Sequence, residues 1–164
     1  MDIKELIINK VQQEFGDAIE NISDFRNDLC IMIKKEKIVE LAKFLKEAPE
    51  LKFEMCKDVT GIDWATRKNR FTAVYHVYSF LLNYNLRIKA NLDDNDISIE
   101  SVTPVWRSAD WYERETWDMY GIKFLHHLDL RRMYMPEGFE YNPLRKDFPV
   151  LGVPGSLPLP KLPE

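Results

Sequence analysis

The sequence predicts an α+β fold in two layers, a mainly antiparallel sheet with helices packed on it, followed by an extended C-terminal arm. Three observations carry this. The elements run helix, two strands, helix, several strands and helix, which is not an alternation of βαβ units. No Gly-rich loop joins a strand to a helix, so a phosphate-cradling nucleotide site is not expected. The last 22 residues, 143–164, hold six of the nine prolines, which forbid a helix or a central strand there. Residues 1–140 therefore read as the α+β domain and 141–164 as the arm.

Each element has a local reason. Asp2 with Glu5 resembles a capping box, and Ile3, Leu6, Ile7, Val11 and Phe15 follow one helical face up to a stop at Gly16. Residues 18–25 and 29–34 read as two strands joined by the turn Arg26-Asn27-Asp28. Ile38, Leu41, Ala42 and Leu45 form the apolar face of a second helix, about 36–47, ended by Pro49. Residues 51–56 read as a strand, and Val59-Thr60-Gly61-Ile62-Asp63-Trp64 as a loop with buried anchors. Residues 71–80, 84–90 and 97–102 read as an antiparallel meander, the last two separated by an Asp93-Asp94-Asn95 turn. Ser108 is placed to cap a third helix, about 109–120, with Asp110 in its first turn and Gly121 closing it.

Composition narrows function by exclusion. The 164 residues carry a formal charge of −4, and the 23 basic residues are scattered, so nucleic acid is not an expected partner. Cys30 and Cys56 each sit in an apolar strand-like run and read as buried thiols, which fits a reducing compartment. No stretch reaches the ~18 apolar residues of a membrane span. The N-terminus has no signal-peptide core.

Candidate chemistry concentrates in the last third. His76 reads as a satisfied sheet histidine. His126 and His127 are adjacent, so their side chains diverge, and no third ligand completes a zinc site. Glu113, Glu115 and Asp118 on the third helix suggest either acid–base carboxylates or a solvated, salt-bridged face with Arg114. Taken alone, the segment favours the solvated face. Arg131, Arg132 and Arg145 follow closely with Lys146, and arginine suits partly buried carboxylate pairing. The acidic helix and the basic stretch could lock each other or face a neighbouring protein. The tail also carries Val150, Leu151, Val153, Leu157, Leu159 and Leu162, unlike a polar, disordered tail, which suits an arm laid over a partner more than a tail packed on its own domain.

These residues resemble a known family. Glu113-Arg114-Glu115, Asp118, Met119-Tyr120, His127 and Arg131 are similar in order and spacing to the signature of the C-type subunit family of respiratory complex I. This is the thirty-kilodalton subunit of NADH:quinone oxidoreductase. Pro143-Leu144-Arg145-Lys146-Asp147-Phe148-Pro149 resembles the family's second hallmark, and the stretch from Thr60-Gly61-Ile62-Asp63-Trp64 to Trp106 is also similar. Leu128 and Tyr134 depart from the pattern, which has proline and an aliphatic residue there. No fused partner subunit is expected after Glu164.

The resemblance implies a non-catalytic subunit of the hydrophilic arm of a proton-translocating complex, on the cytoplasmic side of a prokaryotic cell membrane. It implies packing on the D-type subunit, whose pocket meets the quinone, with the B-type and I-type subunits as neighbours. No cofactor or metal is expected on this chain. The complex itself uses NADH, FMN, iron–sulfur clusters and quinone. The equivalent subunit of a membrane-bound hydrogenase, formate hydrogenlyase or coenzyme F420H2 dehydrogenase is the alternative. A free-standing soluble enzyme using Glu113 is a third reading.

Overall fold

A computed structural model describes residues 2–65 and 68–152. The elements in order are α1 (Ile3–Phe15), β1 (Ile19–Phe25), β2 (Asp28–Ile33), α2 (Ile38–Glu47), β3 (Met55–Asp63), β4 (Phe71–Ser79), β5 (Tyr84–Leu92), β6 (Ser98–Glu100), α3 (Ala109–Tyr120) and β7 (Lys123–Leu125). Short 3-10 turns precede β1 and α2. The main sheet has the order β1-β2-β5-β4-β3. Its one parallel pair is β2 with β5, and the other pairs are antiparallel. The fold class is the α+β layering expected from the sequence.

The register explains the core. Ile22, Ile31, Ile88, Tyr75 and Val59 form one row across all five strands. Because side chains alternate along a strand, every second residue of β2, β5 and β4 joins this face, and Leu29, Ile33, Leu86, Ala90, Ala73 and Val77 are buried. Ile7 and Val11 of α1 and Ile38, Leu41, Ala42 and Leu45 of α2 are buried in the same cluster. Each fully buried aliphatic side chain contributes about 1.5–3 kcal/mol. The next row, Asp58, His76 and Arg87, is polar. There His76 accepts from Arg87 Nε at 3.1 Å and meets Asp58 at 3.4 Å, a satisfied sheet histidine.

Several local expectations need correction. The strand expected at 51–56 and the loop expected at 59–64 are in fact one strand, β3, over Met55–Asp63. Leu51 and Phe53 are buried plugs in the turn before it. The Leu51 carbonyl accepts from Ser79 Oγ and the Phe53 carbonyl from Trp106 Nε1. Gly61 reads as a loop residue, but it serves close packing: a Cβ there would lie 3.0 Å from the Tyr120 ring. The 97–102 segment does not extend the meander. After the Asp93–Asp96 turn the chain leaves the sheet, and β6 pairs in parallel with β7 in a second, two-stranded sheet.

The helix ends also differ in detail. Asp2 Oδ1 accepts from Lys4 N at 3.4 Å, as an N-cap should. Gly16 is right-handed (φ −44) and passes α1 into a 3-10 turn instead of closing it in the left-handed region. Ser108 makes no capping bond, because its hydroxyl donates to the Cys56 carbonyl at 2.8 Å and ties α3 to β3. The hairpin turn is two residues, Arg26 and Asn27, both at positive φ (53 and 70), which matches the twist of the flanking strands. Both cysteines are free and buried.

Candidate functional site

The two charged motifs meet at α3. The helix sits on β3 through Thr116, whose hydroxyl donates to the Val59 carbonyl at 2.8 Å. Of its charged residues, Glu113 and Asp118 are wholly buried and Arg114 is 9% exposed. The solvated face expected from the sequence is therefore corrected: these charges point inward because each meets fixed polar partners.

Asp118 organises the loop after the helix. Its Oδ2 accepts the backbone N–H groups of Met133, Tyr134 and Met135 at 3.0, 2.8 and 3.0 Å. Its Oδ1 accepts from Arg132 Nη1 at 2.6 Å. Burial pushes this carboxyl up, but the three backbone donors and the Arg132 guanidinium outweigh burial and hold it below the usual range. Arg132 also donates to the Tyr141 carbonyl at 3.2 Å and lies over the Trp117 and Phe139 rings.

Glu113 has a different setting. It accepts from Ser101 Oγ at 2.6 Å and from Val102 N at 2.8 Å. Burial pushes its carboxyl up to about 7, against those two hydrogen bonds, and the Asp110 charge adds to the rise. His127, its ring buried, lies 3.9 Å from Glu113 and 3.0 Å from the Asp110 carboxylate. His127 Nδ1 accepts from Asp129 N at 3.1 Å, so the network assigns the ring proton to Nε2. His126 diverges, as expected, to Glu100 at 2.8 Å. The Cys56 thiol is pushed up to about 12, by burial foremost, which keeps it protonated.

The second motif closes the C-terminal end of α3. A helix leaves its last carbonyls without intrahelical donors. Gly121, at φ 80, donates to the Trp117 carbonyl at 2.8 Å. Asn142 Nδ2 reaches the Trp117 and Asp118 carbonyls at 3.2 and 3.0 Å, and Leu144 N reaches the Met119 carbonyl at 3.0 Å. The motif is then pinned to the sheet. Asp63 takes a bidentate pair from Arg70 at 2.8 and 2.7 Å and also accepts Lys146 N at 2.7 Å. Arg70 reaches on to Asp147 at 3.1 Å. The Arg70 bonds hold Asp63 far below the carboxylate range despite its burial. Phe139, Tyr141 and Phe148 pack edge-on or tilted, with centroids 5.6 to 6.4 Å apart.

The remaining expected residues are placed as follows. Glu115 is half-buried, and its side chain makes no hydrogen bond or ion pair among the described residues. Arg131 is exposed and pairs with Asp129, while its carbonyl accepts from Arg114 Nε at 3.2 Å. Arg145 lies over the Phe71 ring and 3.4 Å from Asp147. Pro143 is half-buried, Leu144 is half exposed, and Pro149 accepts from Gly152 N at 2.9 Å. Val150 and Leu151 are fully exposed. Residues 153–164 of the expected arm lie outside the described residues. Sequence reasoning missed Asp63, Arg70 and Asn142. Arg70 stands seven residues after Asp63, just before β4, and that spacing carries no motif.

Known proteins share this architecture. Residues 31–153 match the family model for the respiratory-chain NADH dehydrogenase 30 Kd subunit. An NADH-quinone oxidoreductase C-type subunit of Rhizobium etli is 46% identical over 147 residues, covering 90% of this chain and 78% of that protein. The C-type subunit of Geobacter sulfurreducens is 40% identical over 144 residues, covering 87% and 88%. Among solved structures, a trypsin-resistant fragment of Nqo5 aligns with a TM-score of 0.68 at 25% identity, over 78% of this chain and 100% of the fragment. A chain of an archaeal membrane-bound sulfane sulfur reductase shares the fold, with a TM-score of 0.77 at 22% identity over 92% and 88%. A family match spanning both motifs and the sheet beneath them leads to one conclusion: this chain belongs to the family of the 30 Kd subunit of respiratory-chain NADH dehydrogenase, complex I.

Proposed function

We propose that this chain is a non-catalytic structural subunit in the hydrophilic arm of a proton-translocating NADH:quinone oxidoreductase. It packs on the quinone-site subunit of the D type, with subunits of the B and I types as neighbours, and supports electron transfer to quinone by holding that assembly together. It binds no flavin, iron–sulfur cluster or quinone itself. It meets the membrane only through the complex, on the cytoplasmic side.

One observation carries this reading. The buried charges of α3 and the second motif fix a path for the chain, with Asp118 and Asp63 as the anchors, up to Pro149. Beyond it, Val150 and Leu151 stand fully exposed. Apolar chain delivered rigidly to the surface suits a partner's groove. The test deletes residues 150–164 and measures co-purification with the D-type homologue. The expected result is loss of most of the complex. Unchanged yield would show that the arm does not hold the complex together.

The fold shared with the sulfane sulfur reductase chain favours a second reading, the equivalent subunit of a membrane complex with another electron donor. A nickel-binding large subunit in the purified complex would mark a hydrogenase type, and NADH-module subunits would mark complex I.

A further inference from the structure

We propose that Arg114, Trp111, Leu128 and Tyr134 form a second docking surface, separate from the arm, for a neighbouring subunit that presents a carboxylate set among apolar side chains. This rests on the structural-subunit reading and adds where, and by what chemistry, the folded domain itself is gripped.

Arg114 has no carboxylate in ion-pair contact among the described residues. Among the described residues, buried Asp63 and Asp118 each pair with an arginine. Arg114 is buried to the same degree, yet no carboxylate among them pairs with it. Its Nε and Nη2 donate only to the carbonyls of Arg131 and Arg132, at 3.2 and 3.4 Å. Asp129, whose charge Arg114 also feels, is taken by Arg131 at 2.6 and 2.7 Å. A buried charge whose neighbouring carboxylate is engaged elsewhere is costly, and a carboxylate from outside the chain offsets that cost. Exposed Arg107 also makes no ion pair among the described residues.

Three exposed side chains, Trp111, Leu128 and Tyr134, lie on the segments that hold Arg114. Its guanidinium lies 4.8 Å from the centroid of the Trp111 ring, and Trp111 is 59% exposed. Leu128 is 99% exposed and Tyr134 is 58% exposed. Leu128 stands on a turn that is pinned on both sides. His126 before it is in the left-handed region at φ 60, and buried His127 is tied to Asp110 and to Asp129 N. The backbone N–H of Tyr134 is held by Asp118. Between Leu128 and the start of α3 runs an open groove of about 400 Å³, lined by Pro104, Arg107, Asp110, His127 and Asp129. Tryptophan, tyrosine and arginine are the side chains that dominate binding energy at interfaces, and anchors already held rigid lose little entropy on docking.

The test uses the full chain in cells that assemble the whole complex. A photo-cross-linking benzoylphenylalanine replaces Leu128, and Trp111→Ala and Leu128→Lys are made as separate variants. Leu128→Lys sits on the surface, so that isolated chain keeps the wild-type melting temperature, and the melting temperature of Trp111→Ala is measured beside it to separate a loss of stability from a loss of docking. The cross-link is expected on a neighbouring subunit's peptide that contains Asp or Glu, and each variant is expected to cut retention in the complex at least about ten-fold. A cross-link to a second copy of this chain, no cross-link to a neighbour, or wild-type retention of both variants would overturn the surface. Wild-type chain that co-purifies with no other protein of the complex would overturn the structural-subunit reading with it.

Discussion

Glu113 and Asp118 are five residues apart on one helix and respond oppositely to pH. Glu113 is raised to about 7 by burial, so the folded chain holds its proton at pH values where the unfolded chain has released it. Its contribution is therefore a cost that grows as pH rises from about 4.5 to 7 and is constant above that. Asp118 and Asp63 are depressed, so their contributions are fully present above about pH 4 and fade as pH falls through their folded values. Chemical denaturation across pH should show stability falling from about pH 5 to 7, and Glu113→Gln should flatten that limb while raising stability at pH 8. An unchanged slope would mean that Glu113 is not the titrating group. Asp118→Asn leaves Arg132 without its ion partner in a side-chain environment 13% exposed. The expected cost is about 3–5 kcal/mol, seen as a melting temperature roughly 10 °C lower. The sequence showed which residue types gather here. It could not show burial, because a run such as Glu-Arg-Glu looks solvated until Ser101 and Val102 supply partners for Glu113, and the Arg131 and Arg132 carbonyls for Arg114.

At the scale of elements, the second motif works as the cap of α3 and as a bolt to β3 and β4. Arg70 connects the two roles, since it holds Asp63 and Asp147 together. Arg70→Met should loosen the motif without melting the sheet. Limited trypsin digestion at Arg145 and Lys146 should then run at least several-fold faster, with the core of the domain resistant. Gly121→Ala combines a left-handed φ with a Cβ 2.8 Å from Asn142 Oδ1, so it should release the same segment and cost about 1–2 kcal/mol. Helices α1 and α2, the β1–β2 hairpin and strands β4 and β5 were legible because their apolar spacing answers to one dominant face. β3 was not, because Thr60 and Gly61 carry turn chemistry, and the need for glycine comes from Tyr120, far along the chain at the end of α3. β6 was misassigned for a related reason: its alternation is real, but its pairing partner β7 lies beyond α3.

At the scale of the whole molecule, three helices and the second motif lock onto a mixed sheet, and exposed apolar groups stand at Val150, Leu151, Trp111 and Leu128. The two-motif pattern was enough to place the chain in its family from sequence, because long ordered motifs survive uncertainty in any one element. What a partner touches was not legible, since exposure and pairing arise only when distant segments meet. The proposed role of this chain is assembly, within complex I. The most direct measurement is affinity purification of the full chain from detergent-solubilised membranes, with identification of every co-purifying protein and assay of NADH:quinone activity. The predicted result is the quinone-site subunit and the NADH-oxidising subunits in equal amounts with this chain, and an active complex. Recovery of the chain alone, or with a nickel-binding large subunit and no NADH-oxidising partner, would contradict it.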